Sequence, residues 1–325
     1  MNSNMKKYIF ILVSVVLYTT STAQQLRPVQ SLYMFDLLLI NPAYAGSQVQ
    51  LSATSIYRNQ WVNLEGAPKT FTASMQTSML NNRMGLGLVL GKDVIGVHEN
   101  YNLAASYAYK IPMYGGASLS MGLQAALDLI QSDFTRTTVP SAGTPTGGAS
   151  GGAADPYYAA TNATNPNFGM CLFYTNRVFY AGISVPYILE NDIIQDVESG
   201  VLTNEQVKNT RNYYIHGGTT FRTDPNFKIL ASTLLRFQDG SALSFDVNAL
   251  GVIKETVGLG MGYRLIEGLI FMFELKINEN FHVGYAYDKT VSTLGRVSSG
   301  SHEIMLNYRI KIQRWHQGLE CPSYY

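Results

Sequence analysis

The chain contains few charged residues and, after its first 23 residues, no long uninterrupted apolar run. Charged side chains make up 14% of the sequence, whereas hydrophobic residues make up 46%. A soluble domain of average composition carries about 25% charged residues, and a membrane-spanning helix needs roughly 20 consecutive apolar residues. The sequence therefore lacks both the charge of an average soluble protein and the segments of a helical membrane protein.

Motifs for metal, nucleotide and nucleic-acid binding are also missing. The histidines form neither HExxH nor any close pair, and Cys171 and Cys321 fit no CxxC spacing. Two alternatives remain open for these cysteines: they form a disulfide with each other, or both are free thiols. The glycines at 85–87 and 258–262 precede no phosphate-binding helix, so we interpret them as strand glycines facing a crowded lumen. Because these motifs are missing, we expect no metal and no cofactor. Because the net charge is only +1, we expect no binding of nucleic acid.

The N-terminus is typical of a Sec signal peptide. Lys6-Lys7 precedes an apolar run, and small residues ending at Ala23 come just before Gln24. We therefore predict a signal peptide over 1–23. No cysteine stands at the cleavage point, so a lipoprotein anchor is not expected.

What the sequence does contain is alternation of apolar and polar residues with a period of two. From 101 to 111 every odd position is apolar, while Asn102, Ser106 and Lys110 lie on the other face. The pattern recurs at 119–129, 243–249, 269–277, 281–288 and 303–310. A strand in the wall of a membrane barrel alternates lipid-facing and lumen-facing residues in this way. The 29 glycines and 22 tyrosines suit such a wall.

Turn signals divide residues 50–311 into about fourteen strands, an even number that suits a bacterial barrel. If the N-terminus is periplasmic, the three longest connections, 133–165, 187–210 and 289–301, all lie outside the cell. We predict an all-β fold, a transmembrane antiparallel β-barrel of about fourteen strands with long extracellular loops and short periplasmic turns. The predicted regions are a signal peptide over 1–23, a periplasmic N-terminal segment over 24–48 that packs at the periplasmic mouth, the barrel over 49–311 and a periplasmic tail over 312–325.

Charged residues in the predicted strands fall on the lumen face. Such charges either line a channel or pair across the lumen and plug it. They include Arg58, Lys110, Asp128, Arg236, Asp246, Glu274, Asp288, Glu303 and Arg309. Ser301-His302-Glu303 is the one string that suggests a hydrolase, but consecutive strand residues point to opposite faces and form no nucleophile–base pair. We predict no enzymatic activity.

Several strings along the mature chain form an ordered set. They lie at 33–35, 39–46, 58–61, 66–70, 166–169, 182–186, 211–214, 284–288 and 298–306. Together they resemble the PorP/SprF family of outer-membrane proteins, which is linked to type IX secretion and gliding motility. Within these strings we expect structural roles for Asn41, Pro42, Tyr44, Gly46, Trp61 and Pro68.

The resemblance implies a barrel that works beside the type IX translocon and retains a secreted surface adhesin through the adhesin's C-terminal domain. It also implies contacts with type IX secretion components, outer-membrane lipids and periplasmic peptidoglycan-linked proteins. A porin-like solute channel is the alternative function. The family offers no catalytic or cofactor-binding residues to carry over.

We expect a protein partner to bind at the outer end of the barrel. Recognition of a protein needs roughly 800 Å² of surface per partner, and short periplasmic turns provide little. The long loops contain Tyr157, Tyr158, Tyr187 and Ile188, residue types that often anchor interfaces, although they could instead simply cover the lumen entrance. The Gly- and Ser-rich stretch 141–154 is predicted to be a mobile part of an outer loop.

Overall fold

A computed structural model describes most of the predicted barrel and the segment that precedes it. The described residues are 29–132, 161–192, 208–209, 211–238, 243–265, 267–291 and 293–310. The predicted signal peptide, the stretch 141–154, Tyr157, Tyr158 and the predicted tail lie outside them. Within the described residues, no helix is both long enough and apolar enough to cross a membrane.

Fourteen strands close into a barrel in which neighbouring strands are antiparallel. They are β1 Leu51–Asn59, β2 Lys69–Met79, β3 Met84–Ile95, β4 His98–Pro112, β5 Ser118–Ser132, β6 Thr161–Thr175, β7 Phe179–Val185, β10 Asn212–Asp224, β11 Phe227–Gln238, β12 Ser244–Ile253, β13 Val257–Arg264, β14 Gly268–Lys276, β15 Phe281–Thr290 and β16 Ser301–Ile310. Two short strands, β8 Asn191–Asp192 and β9 Lys208–Asn209, pair separately. β1 pairs with β16 along its whole length, and this seam closes the barrel. The predicted fold is confirmed.

The alternation in the sequence separates a lipid-facing surface from a lumen surface. In β4, the apolar side chains of Leu103 and Tyr109 are exposed, whereas Ser106 and Lys110 are buried. The other strands also place large apolar residues outside, and their buried face combines polar residues with some apolar ones such as Ile56 and Leu234. A wall with large apolar residues on its outer surface is stable only where lipid surrounds it.

The two ends of the barrel differ in the length of their connections. At one end the strands are joined by 80–83, 113–117, 176–178, 225–226, 254–256 and 277–280. The other end carries the long connections 133–160 and 186–211, together with 60–68 and 291–300 and the shorter 96–97, 239–243 and 265–267. Outer-membrane barrels have short periplasmic turns and longer extracellular loops. The second end is therefore the extracellular one, and we call it the outer mouth.

The chain before β1 lies inside the barrel. Residues 29–48, which we call the plug, form three short 3₁₀ helices, η1 Ser31–Phe35, η2 Leu37–Leu39 and η3 Pro42–Tyr44. All but one of its residues are buried. The sequence analysis predicted a periplasmic segment packed at the periplasmic mouth, whereas the structure places residues 29–48 in the lumen. The lumen removes the apolar side chains of the plug from water, which a position at the mouth would not achieve.

Candidate functional site

The plug descends through the lumen from the outer mouth to the periplasmic end. Successive parts of it contact different strands of the wall. In order along the plug, the contacts are Ser31 with Glu303, Tyr33 with Asn248, Asp36 with Ser74, Asn41 with His216 and Gly46 with Lys110. The plug is therefore held from several sides by strands β1, β2, β4, β10, β12 and β16 and their neighbours.

A buried cluster fixes the start of the plug to the closing seam of the barrel. The Glu303 carboxylate accepts hydrogen bonds from the backbone N–H of Ser31, at 2.7 and 2.9 Å, and of Leu32, at 3.0 Å. Arg58 forms ion pairs with Glu303 and, at 2.8 Å, with Asp288. Arg58 and Glu303 face each other across the β1–β16 pair. We call Ser31, Arg58, Asp288 and Glu303 the seam cluster.

Asp36 anchors the middle of the plug. Its carboxylate accepts hydrogen bonds from the Ser74 hydroxyl and, at 3.2 Å, from the N–H of Leu38. The sequence analysis did not single out Asp36. A lone acidic residue in the apolar run 32–40 was the signal for a buried polar contact.

Asn41 joins the lower half of the plug to two strands. Its Oδ1 accepts the N–H of Ala43 at 2.9 Å, which caps η3. Its Nδ2 donates to the carbonyl of Leu172 at 3.0 Å and lies 2.9 Å from Nε2 of His216. Pro42 occupies the first turn of η3, where its missing N–H is not needed. Asn41 and Pro42 thus shape η3 and its contacts with β6 and β10.

Strand glycines allow the plug backbone to touch the wall. A Cβ at Gly85 would overlap the carbonyl of Ala45, and a Cβ at Gly122 would overlap the backbone of Ala43. Gly46 adopts a φ of +66°, which favours glycine. Gly85 does face a crowded lumen, as predicted, and the crowding comes from the plug.

An aromatic contact adds to these backbone contacts. The rings of Tyr44 and Phe173 meet edge to face with centroids 5.4 Å apart, a favourable arrangement for aromatic side chains. Tyr44 thereby attaches the last helix of the plug to β6.

Charged residues of the lumen form ion pairs within the described residues. Arg264 contacts Asp246 at 2.9 Å and Glu267 at 3.1 Å. Arg264 and Asp246 are both buried. Together with the seam cluster, this pair supports the second of the two predictions for the lumen charges, in which they pair instead of lining an open channel.

A cavity of about 130 Å³ remains beside the plug on its outer side. The plug contributes Val29, Gln30 and Tyr33 to its lining, and β3 and β4 contribute Asp93 and Asn100. Gln30 Nε2 donates to Thr72 Oγ1 at 2.6 Å in the same region. The cavity is thus part of the outer half of the lumen.

Tyr187 and Ile188, two of the predicted partner-binding residues, lie where β7 ends at the outer mouth. Tyr187 packs against buried apolar residues and lines the cavity. The N–H of Ile188 donates to the carbonyl of Phe168 at 2.9 Å, and its own carbonyl accepts from Arg211 at 2.8 Å. Both residues are half-buried. Tyr157 and Tyr158 lie outside the described residues, so the structure brings together only half of the predicted set.

Two connections at the outer mouth are bound to each other near the seam. The N–H of Trp61, which has a φ of +49°, donates to Ser301 Oγ at 3.1 Å. The Pro68 carbonyl accepts the N–H of Gln60 at 3.0 Å. Further backbone hydrogen bonds join Val62 to the connection 291–300. Trp61 and Pro68 thus take part in the hydrogen bonds of the outer connections.

Ser301 and His302 point to opposite faces. The Ser301 hydroxyl binds the N–H of Trp61, whereas Nδ1 of His302 lies 2.7 Å from the Tyr285 hydroxyl. In the part of the chain that the structure describes, no three His, Cys, Asp or Glu side chains could hold a metal ion. Cys171 is buried with a free thiol. None of these groups forms a catalytic arrangement with the others.

Comparisons with known proteins agree with the fold. The model of the family described as "Type IX secretion system membrane protein PorP/SprF" matches residues 22–308. No curated protein matches the chain significantly.

Solved structures of several barrels are similar at low identity. Outer membrane protein Omp33 of Acinetobacter baumannii is 9% identical, with 82% of this chain and 100% of that chain covered and a TM-score of 0.47. The CymD monoaromatic hydrocarbon channel is 11% identical, with 89% and 94% covered and a TM-score of 0.48. The toluene transporter TbuX of Ralstonia pickettii is 9% identical, with 87% and 93% covered and a TM-score of 0.48. Likeness at this level carries no information about ligands or activity.

Proposed function

Because the chain belongs to the PorP/SprF family of type IX secretion system membrane proteins, we propose that it receives a secreted adhesin at its outer mouth. In this proposal the barrel holds the C-terminal domain of the adhesin and so anchors the adhesin to the cell surface. The observation that carries the proposal is the filled lumen. A barrel occupied by residues 29–48 offers a partner the outer mouth and not a wide aqueous path.

The plug argues against the alternative function of a porin-like channel. Opening the lumen requires the loss of the buried contacts of Glu303, Asp36 and Asn41. Each buried polar group left without a partner costs about 1–3 kcal/mol. Adhesin anchoring needs no such opening, because the partner binds outside the plug.

The proposed partner surface combines long connections with aromatic anchors. Connections 133–160 and 186–211 are the longest at the outer mouth, and Tyr187 lies at the start of the second. Interfaces concentrate their binding energy in a few such buried aromatic residues. We propose Tyr157, Tyr158, Tyr187 and Ile188 as contributors to this surface.

The test is purification of the tagged barrel in detergent, followed by identification of the chain that co-purifies. We expect an adhesin C-terminal domain with the native barrel and a strong loss of it when Tyr157, Tyr158 and Tyr187 are all replaced by Ser. The matched control is Tyr114→Ser, since Tyr114 is fully exposed on a short turn at the opposite end. Normal recovery of the partner by the triple variant would rule out a site built on these tyrosines.

Several finer statements belong to the same proposal. A Sec signal peptide is removed near Ala23, which mass determination of the mature N-terminus tests directly. The barrel also contacts type IX secretion components, outer-membrane lipids and periplasmic peptidoglycan-linked proteins. It carries no enzymatic activity and needs no cofactor. Hydrolysis of outer-membrane lipid by the pure protein would contradict this last statement.

A further inference from the structure

We propose that the cavity beside the plug is a pocket for one tyrosine side chain of the extracellular polypeptide partner. The cavity measures about 130 Å³, and the residues that line it all belong to the described part of the chain. One of them is Tyr187, which lies at the start of the connection 186–211. The proposal rests on the proposed function and deepens it, because it names a chemical group of the partner and the place that receives this group.

The cavity lies close to the outer ends of the strands. Thr70 is the second residue of β2, Asn100 is the third residue of β4, and Asp93 lies two residues before the end of β3. A strand rises by about 3.3 Å per residue, so these residues lie within roughly 7 Å of the outer strand ends. A long side chain on a segment bound at the outer mouth can therefore reach the cavity.

A glycine in β3 leaves the space for such a side chain. Val89, Gly91 and Asp93 follow one another on the lumen face of β3, and all three line the cavity. A Cβ at Gly91 would meet only the Cβ of Asn102, at an ordinary 3.5 Å. Gly91 thus leaves open a place that a larger strand residue would fill.

The volume of the cavity suits one ring and not a whole small-molecule ligand. Pockets for drug-sized ligands measure about 300–1,000 Å³, whereas a cavity of about 150 Å³ holds one benzene ring. With about 130 Å³, the cavity has the size of one aromatic side chain. Buried aromatic side chains are also frequent anchors of protein interfaces.

The lining distinguishes among the aromatic side chains. Leu39 and Ile40 of the plug and the ring of Tyr214 provide apolar surface for a ring. Asn100 also lines the cavity, and its buried Oδ1 has no hydrogen-bond partner among the described residues. A ligand with a hydrogen-bond donor would satisfy this acceptor. Phenylalanine has no donor and tryptophan has two fused rings, whereas tyrosine combines one ring with a hydroxyl donor.

Titration calorimetry of the purified barrel in detergent tests the pocket without the partner. The probe is 4-methylphenol, which has the ring and the hydroxyl of a tyrosine side chain, and toluene is the probe without the hydroxyl. Gly91→Leu fills the cavity, and Gly251→Leu, on the lipid-facing side of β12, is the matched control. Asn100→Leu removes the acceptor and keeps a side chain of similar size. A shift in gel mobility on heating shows that each variant has folded as a barrel.

We expect the native barrel and Gly251→Leu to bind 4-methylphenol equally, and Gly91→Leu to show no binding above that of empty micelles. Asn100→Leu should lose about tenfold in affinity for 4-methylphenol, the effect of one lost hydrogen bond, and should bind toluene as the native barrel does. The pocket is overturned if the native barrel does not bind 4-methylphenol, or if Gly91→Leu binds it as tightly. Unchanged affinity of Asn100→Leu for 4-methylphenol overturns the choice of tyrosine.

Co-purification of the adhesin domain separates this proposal from the proposed function. We expect Gly91→Leu to lose most of the adhesin domain and Gly251→Leu to retain it. Equal recovery by Gly91→Leu and the native barrel overturns the pocket and leaves the anchoring function intact. Absence of the adhesin domain from the native preparation contradicts the proposed function instead, and calorimetry then decides on the pocket alone.

Discussion

At the scale of single residues, Glu303 is bound by both the plug and the barrel wall. It accepts two backbone N–H groups of η1 and pairs with Arg58 across the seam. Removal of one partner from a buried ion pair leaves the other charge uncompensated. The seam cluster should therefore contribute to stability in a way that an exposed ion pair does not.

Glu303→Ala is expected to lower the free energy of unfolding by about 1–3 kcal/mol, because two N–H groups of η1 lose their buried acceptor while Arg58 keeps its pair with Asp288. Urea unfolding in detergent micelles measures the change. The matched control is Glu99→Ala, which removes a partly exposed pair with Lys92 at 3.0 Å and should cost only about 0–1 kcal/mol. Equal losses in the two variants would show that the seam cluster has no special role.

Gly85 and Gly91 lie on the same face of β3 but meet different surroundings. A Cβ at Gly85 would overlap Ala45 of the plug, whereas a Cβ at Gly91 would meet only Asn102 at an ordinary 3.5 Å. We expect Gly85→Ala to destabilise the folded barrel by about 1–3 kcal/mol, as overpacking does, and Gly91→Ala to have a small effect. The temperature midpoint of the heat-induced shift in gel mobility compares the two variants. A barrel that tolerates both substitutions equally would contradict the close approach of the plug.

At the scale of elements, the strands and the plug have different origins in the sequence. The strands follow from the local alternation, and β4, β5, β14 and β16 all lie within a few residues of their predicted limits. Contacts with distant strands define the three helices of the plug, since each helix is too short to be stable alone.

The plug is expected to keep the barrel closed to ions. Planar bilayers with the native protein should show no steady conductance, and deletion of 29–48 should produce it, because water then fills the polar lumen. Deletion of 141–154 is the control, and it should leave a silent, heat-modifiable barrel because a loop contributes little to the wall's hydrogen bonding. Large steady conductance from the native protein would favour the porin-like function.

At the scale of the whole molecule, the difference between the two ends sets the orientation in the membrane. Short turns join the strands at the periplasmic end, and the long connections gather at the outer mouth. The longer connections are therefore concentrated on one side of the membrane.

Protease added to whole cells is expected to cut within 141–154, because that stretch belongs to a long connection at the outer mouth. A tag inserted at Asn81-Asn82, in the turn between β2 and β3, should stay protected until the outer membrane is permeabilised. Labelling of that tag on intact cells would show that the barrel has the opposite orientation in the membrane. Immunoblotting with and without permeabilisation provides the measurement.

The wall of the barrel and its family could be predicted from the sequence because both depend on local patterns. Alternation with a period of two assigns each strand residue to the lipid or the lumen without knowledge of its neighbours. The ordered motif strings identify the family in the same local way. The motif strings also singled out Asn41, Pro42, Tyr44 and Gly46, but a local pattern does not say where these residues lie in the molecule.

Only the tertiary structure decided where those residues lie. The plug is held by contacts between residues far apart in the chain, such as Ser31 and Glu303, which are 272 positions apart. No spacing rule relates two such positions, and an apolar segment with a Pro–Gly turn is compatible with many burial sites. The filled lumen and the seam cluster follow from closure of the barrel around the plug, because closure alone brings β1, β16 and residues 29–48 into one buried cluster.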